Sequence, residues 1–145
     1  MTGRILAVDL GEKRIGLAIS DPTVTVARPL ETINHVSGVI DAGLIALKAS
    51  ELMVIQIVVG IPVSSEKNDN PQARHARKFA DLLRNQTDVQ IVLWDESLST
   101  NQAQEIRRMM AVPQKSRRGH LDDLAAAVIL QSYLVTKASI STSLE

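Results

Sequence analysis

The stretch RILAVDLGEKRIGLAIS, residues 4–20, decides the fold of this chain. It contains two apolar runs, residues 4–9 and 15–20, on either side of a polar bend that includes a glycine. This pattern predicts a β-hairpin, because short apolar runs separated by a glycine-containing turn pair as antiparallel strands. The first run ends in Asp9, so the predicted strand carries a carboxylate at its carboxyl end.

Further elements follow outward from this hairpin. A third strand is predicted over residues 25–33, where Pro29 has no amide hydrogen to donate and therefore favours an edge position. Residues 36–52 have the spacing of an amphipathic helix, whose predicted buried stripe is Val36, Ile40, Leu44 and Leu47. The run VIQIVV, residues 54–59, predicts a strand buried on both faces of a parallel sheet.

The second half of the chain alternates helices and strands. We predict a helix over about residues 72–84, a strand over 89–94, a helix over about 100–111 and a last helix that begins near Asp122. The first of these helices has a predicted apolar stripe of Ala73, Ala76, Phe79, Ala80 and Leu83. The order βββαβαβαα predicts an α/β fold with a five-stranded mixed sheet, a meander of its first three strands, and helices on both faces. It is the element order of the ribonuclease-H-like fold.

Length and composition set the class of protein. A chain of 145 residues with 45% hydrophobic and 22% charged residues is typical of one globular domain. We predict this domain over residues 1–138 and a flexible tail over 139–145. The absence of cysteine excludes disulfides and thiolate metal sites. With no long apolar segment or signal peptide in the sequence, we expect a cytoplasmic protein with no membrane partner.

Charge argues against a protein that coats nucleic acid, because 16 Lys and Arg balance 16 Asp and Glu. The cations are nevertheless clustered, and aromatic residues make up only 2% of the chain, so any contact with nucleic acid should go to phosphate rather than to stacked bases. The candidates for backbone contact are Lys13, Arg14, Arg74, Arg77, Lys115, Arg117 and Arg118. A solvated hairpin tip or loop would have the same composition.

Three acids lie at element boundaries: Asp9 after the first strand, Glu96 after the fifth, and Asp122 at the start of the last helix. The carboxyl ends of parallel strands form a shared crevice in such sheets, so these acids could meet there. Clustered carboxylates repel one another unless a cation lies between them, and an all-oxygen set favours Mg²⁺ or Mn²⁺. Such a site suits phosphodiester hydrolysis. Taken singly, Asp9 could serve a turn and Asp122 a helix cap.

Four separated motifs resemble the YqgF (RuvX) family. They are DLGEKRIGLAISD at residues 9–21, VGIP at 59–62, DESLST at 95–100, and Asp122 ahead of AAVIL at 126–130. They occur in the family's order along nearly the whole chain. Members are described as nucleases of pre-16S ribosomal RNA or as proteins similar to Holliday junction resolvases, with a ribonuclease-H-like fold.

The resemblance implies that Asp9, Glu96 and Asp122 are the catalytic and metal-binding acids, with Asp122 favoured over Asp123. It implies a metal-dependent nuclease, a hydrolase of phosphodiester bonds that processes the 5′ end of pre-16S rRNA in ribosome biogenesis. A first alternative is resolution of Holliday junctions. The implied partners are structured RNA or a four-way DNA junction, for a monomer or a homodimer; the junction activity would require the dimer.

Two further alternatives stay open. Ser97 stands where the family usually has an arginine after the motif glutamate, which keeps a non-catalytic RNA-binding or antitermination factor in consideration. An actin-like nucleotide-binding module is less favoured. Its first phosphate loop also begins with Asp-x-Gly, but such proteins need two duplicated lobes and this chain has room for one.

Overall fold

Three antiparallel strands open the structure, a computed structural model that describes residues 3–61, 71–95 and 121–144, with side chains at 3–61, 71–95 and 124–138. They are β1 (Arg4–Leu10), β2 (Arg14–Ser20) and β3 (Ala27–Asn34). β1 pairs with β2 and β2 with β3, so the predicted meander is confirmed.

The remaining described elements alternate. They are α1 (Gly38–Glu51), β4 (Val54–Ile61), α2 (Pro71–Gln86), β5 (Gln90–Asp95) and α3 (Leu121–Leu144). β4 pairs parallel to β1, and β5 parallel to β4, in the sheet order β3-β2-β1-β4-β5. This confirms the predicted five-stranded mixed sheet. The helix predicted over residues 100–111 lies outside the described residues, and the flexible tail stays a prediction, although the backbone of residues 139–144 belongs to α3.

The helices pack on both faces of the sheet, as predicted. Alternation along β1 sends Leu6 and Val8 into a core shared with α1 and α2. Its odd-numbered neighbours, Ile5 and Ala7, enter a second core shared with α3. The central strand is thus covered on both sides, which explains why it reads as a nearly continuous apolar run.

β3 is an edge strand, so the position inferred from Pro29 is confirmed. Its start is fixed from the opposite end of the chain by a buried amide, Gln131 of α3. Oε1 of Gln131 accepts from the backbone amide of Ala27 at 2.9 Å, and Nε2 donates to the carbonyl of Thr25 at 3.2 Å. These bonds supply partners to backbone groups that β2 leaves unpaired at this end of the edge.

The turn before β3 is organised by Asp21. Its carboxylate accepts from the hydroxyl of Thr23 and from the backbone amides of Thr25 and Val26, both at 2.8 Å. The Thr23 hydroxyl and then the Val26 amide hold the pKa of Asp21 well below its usual range, because they stabilise the charged carboxylate. The turn therefore delays β3 to Ala27, two residues after its predicted start.

The predicted buried stripe of α1 is wrong. Its four members, Val36, Ile40, Leu44 and Leu47, are between 43% and 63% exposed. The helix instead buries Asp41, Ala42, Ile45 and Ala49. The space between α1 and α2 is small at Gly38, since a Cβ added there would lie only 2.7 Å from Cδ1 of Leu82 in α2. At Gly38, therefore, only a small residue fits.

The predicted stripe of α2 is confirmed, because the structure buries the five residues named from the sequence.

Among the described helices, none combines the length and apolar character needed to cross a bilayer.

Candidate functional site

Asp9 lies at the carboxyl end of the central strand β1. Val8 pairs with Val59 in the parallel ladder, so Asp9 is level with Gly60, where β4 carries no side chain. A cavity of about 570 Å³ opens at this edge, between the ends of β1 and β4 and the first turns of α2. Its lining is Asp9, Leu10, Gly11, Glu12, His35, Gly60, Pro71, Gln72, His75 and Ala76.

A tight turn holds two predicted cations close to Asp9. The amide of Gly11 donates to the carbonyl of Arg14 at 2.9 Å, and a Cβ at Gly11 would lie 2.5 Å from that oxygen. Only glycine allows so close an approach of the two backbones. The turn returns the chain so that Asp9 pairs with Gly16, which leaves Lys13 and Arg14 at the same end of the sheet as the cavity.

α3 covers the face of the sheet opposite α1 and α2. Asp9 follows Ile5 and Ala7 in the alternation of β1, and those two residues lie in the core that α3 covers. Asp122 is the second residue of α3, although its side chain is outside the description. The strand direction of Asp9 and the sheet face of α3 are therefore compatible with a common site.

The other predicted site residues divide between described and undescribed parts. Glu96 comes directly after the last residue of β5 and lies outside the described residues, as do the cations predicted at Lys115, Arg117 and Arg118. Across residues 3–61, 71–95 and 121–144, no cluster of three or more His, Cys, Asp or Glu side chains could hold a metal. The metal-binding set of Asp9, Glu96 and Asp122 thus stays a prediction.

The two cations predicted on α2 are not among the residues that line the cavity. Arg74 is exposed and lies between Gln72 and His75, which both line the cavity, and Arg77 is half-buried one turn further on. The first turn contains no acid to oppose the partial positive charge of the helix amino terminus. The helix amino terminus therefore favours an anion at this edge, whereas Asp9 and Glu12 in the cavity lining oppose one.

Sequence reasoning missed three residues at this edge: His35 and His75, which line the cavity, and the buried Asp41, whose carboxylate accepts from Nδ1 of His35. The available signal was an acid in the first turn of α1, six residues after a histidine. Periodicity alone gave no reason to bury that acid.

Comparisons with known proteins agree with this architecture. The model of the RuvX family, described as Holliday junction resolvase, matches residues 3–136. A relative from Geobacillus kaustophilus, named as a candidate pre-16S rRNA nuclease, is 43% identical over 136 residues, which cover 92% of this chain and 99% of the relative. A relative of the same name from Syntrophus aciditrophicus is 40% identical over 131 residues, covering 90% and 87%.

Solved structures show the same fold at low identity. RuvC of Thermus thermophilus, in complex with a Holliday junction substrate, superimposes with a TM-score of 0.58 at 15% identity, covering 94% of this chain and 96% of that one. The Holliday junction resolvase of fowlpox virus gives a TM-score of 0.54 at 14% identity, covering 92% and 99%. The ribonuclease-H-like arrangement expected from the element order is thereby confirmed.

Proposed function

This chain belongs to the RuvX family, and from that premise we propose that it is a metal-dependent nuclease that hydrolyses phosphodiester bonds in nucleic acid. Its leading substrate is the 5′ end of pre-16S rRNA, in ribosome biogenesis and in the cytoplasm. One observation carries the proposal: Asp9 of the family motif lies at the carboxyl end of the central strand, on the wall of an open cavity. Open α/β sheets bind ligands at this edge.

The donor chemistry of the site fits a hard divalent cation. Asp9, Glu96 and Asp122 would hold Mg²⁺ or Mn²⁺ through carboxylate oxygens, the ligands that these ions prefer. When bound, the ion supplies activation of water and neutralisation of the charge that develops on the phosphoryl group. Gly60 keeps the space beside Asp9 free of a side chain, so that a phosphate group has room to approach.

The cations around the cavity would bind the substrate backbone. Lys13 and Arg14 come from the hairpin turn, and Arg74 and Arg77 from α2, whose first turns line the cavity. Contacts of this kind fix the position of a strand without reading its sequence. Lys115, Arg117 and Arg118 are proposed to add to them, since they directly precede Asp122 in the chain.

Asp9→Asn tests the proposed chemistry. Loss of a charged metal ligand should reduce cleavage at least about a hundredfold, because even disturbing the partners of such ligands costs ten- to a hundredfold. The assay measures cleavage of 5′-extended 16S rRNA with Mg²⁺ and with Mn²⁺. Asp88→Asn is the matched control, since it removes an exposed acid before β5, at the opposite edge of the sheet. Cleavage by Asp9→Asn at the wild-type rate would remove Asp9 from the mechanism.

Resolution of four-way DNA junctions is the second candidate, favoured by the description of the family that matches residues 3–136. The same assay includes a four-way junction as a parallel substrate, with sedimentation of the protein on the bound junction. Symmetrical cleavage requires two active sites related by a two-fold axis. A monomer on the junction would therefore exclude this activity, and binding without cleavage of either substrate would support the non-catalytic alternative.

A further inference from the structure

Asp41 is a fully buried acid outside the proposed metal site. Its side chain is 1% exposed, and it accepts from Nδ1 of His35 and from the backbone amide of Val36, the latter at 3.1 Å. Burial of a carboxylate is costly unless polar partners compensate it. Asp41 also lies in the first turn of α1, where the helix dipole favours a carboxylate, and its two oxygens bond the Val36 amide and His35 separately.

His35 connects this buried charge to the cavity. Its side chain is 36% exposed and lines the same cavity as Asp9. Because Nδ1 is held by Asp41, the ring nitrogen that remains for a ligand is Nε2. The backbone amide of His35 donates to the carbonyl of Lys13 at 2.9 Å, which ties the segment before α1 to the hairpin turn. The ring is thus held by Asp41 of α1, and the backbone of His35 by the hairpin turn.

The charges that face His35 define what it can bind. Asp41 faces the ring from α1, Asp9 and Glu12 line the cavity from β1 and the hairpin turn, and His75 lines it from α2. The described lining contains two acids and none of the cations proposed above, so a phosphodiester strand inside the cavity needs a donor from the lining itself. The His35 ring is such a donor when both ring nitrogens carry hydrogen, because Nδ1 then bonds Asp41 and Nε2 can donate to a phosphate oxygen.

We propose that His35, oriented by Asp41, binds a backbone phosphate of the substrate strand through Nε2, in the cavity beside Asp9. This inference rests on the proposed function for the identity of the ligand, a phosphodiester strand. His35 is then a substrate-binding residue, and Asp41 is a positioning residue that acts through it.

Two variants separate binding from structure. In His35→Asn, the side-chain amide nitrogen lies near the position of Nδ1, so it keeps the donor to Asp41 and loses the donor to the strand. In His35→Gln, the amide nitrogen reaches toward the position of Nε2, so it keeps a donor to the strand and loses the bond to Asp41. If His35 binds substrate, His35→Asn should bind the strand more weakly than His35→Gln does. If His35 is purely structural, His35→Gln should instead be the less stable variant and the weaker binder.

The test measures fluorescence anisotropy of short labelled single strands, one of RNA and one of DNA, with the full chain in EDTA, which prevents cleavage. We expect His35→Asn to weaken binding about tenfold or more at an unchanged melting temperature, and His35→Gln to weaken it less. Asp41→Asn should weaken binding as well. Arg28→Gln is the matched control: it removes one cation from β3, where Arg28 pairs with Ile19 at the sheet edge opposite Asp9.

The outcomes distinguish this inference from the nuclease proposal. Wild-type affinity of His35→Asn for both strands overturns the inference even if the wild-type protein cleaves RNA, as does binding that falls only in step with melting temperature. Failure of the wild-type protein to bind either strand also overturns it. Loss of affinity in His35→Asn, in a protein that never cleaves, supports the inference and refutes the nuclease proposal. The labelled strand, RNA or DNA, for which His35→Asn loses more affinity identifies the class of strand that His35 binds.

Discussion

Helices α1 and α2 lie side by side on one face of the sheet, and their sequences describe their packing unequally well. On α2, cations occupy the positions outside the apolar stripe, and the structure buries that stripe. α1 has apolar residues on two sides. Most of its large apolar residues are exposed, while the packed side carries Gly38, Ala42, Ile45 and Ala49, spaced by four, three and four residues, of which only Ile45 is large.

The difference shows what charge and size each contribute to a prediction. Charged side chains keep one face of a helix out of the core, because their burial is costly. Only one face of α2 could therefore be buried. α1 offered two stripes with the same helical spacing, and hydrophobicity favours the one with larger residues. A close approach of α2 excludes a larger side chain at Gly38, whereas Ile45 on the same side of α1 is fully buried, so the restriction on size is local.

The largest expected effect on stability concerns the buried and the exposed side of α1. Ile45→Ala should lower the free energy of unfolding by about 2–4 kcal/mol, since it leaves a cavity in the core. Leu47→Ala, on the exposed stripe of the same helix, should change it by less than about 0.5 kcal/mol. Urea denaturation of both variants measures the difference. Equal losses would mean that the outer stripe of α1 is covered in solution.

A smaller effect on stability is expected if limited space selects small residues on the packed side of α1. Ala42→Leu adds volume where α1 meets the core it shares with α2, so it should destabilise the protein by about 1–3 kcal/mol. Ala46→Leu is the control, because Ala46 is only half-buried on the same helix. Thermal unfolding of the two variants provides the measurement. A neutral Ala42→Leu would show that space is available and that another factor selects the small residues.

The smallest expected effect has the opposite sign. A Cβ at Gly43 meets no atom within 4 Å, and the residue lies within α1 without a positive φ. Gly43→Ala should therefore stabilise the protein by about 0.4–1 kcal/mol, because alanine loses less conformational entropy in a helix. Gly11→Ala is the contrasting control, since its Cβ would lie 2.5 Å from the carbonyl of Arg14. A destabilising Gly43→Ala would indicate a partner against this side of α1.

Local chemistry alone was enough to place some candidate site residues in their elements, although their role in a site stays a prediction. Asp9 could be located because a strand ends there, and the cations near it because they sit in a turn or outside an apolar stripe. His35 could not be found in this way. Its role depends on Asp41, which a prediction from periodicity places outside the core because an isolated carboxylate is costly to bury. Only the folded chain supplies the partners that offset this cost.

The sequence by itself determined the order of strands and helices, the mixed sheet with β3 at its edge, and the carboxylate at the end of β1, because turns, apolar runs and proline act through the local backbone. The tertiary structure alone decided which side of α1 is buried, how Gln131 fixes the start of β3, and that His35 shares a cavity with Asp9. These features depend on distances between segments far apart in the chain. Such distances are set by how all the elements pack together, which no local pattern encodes.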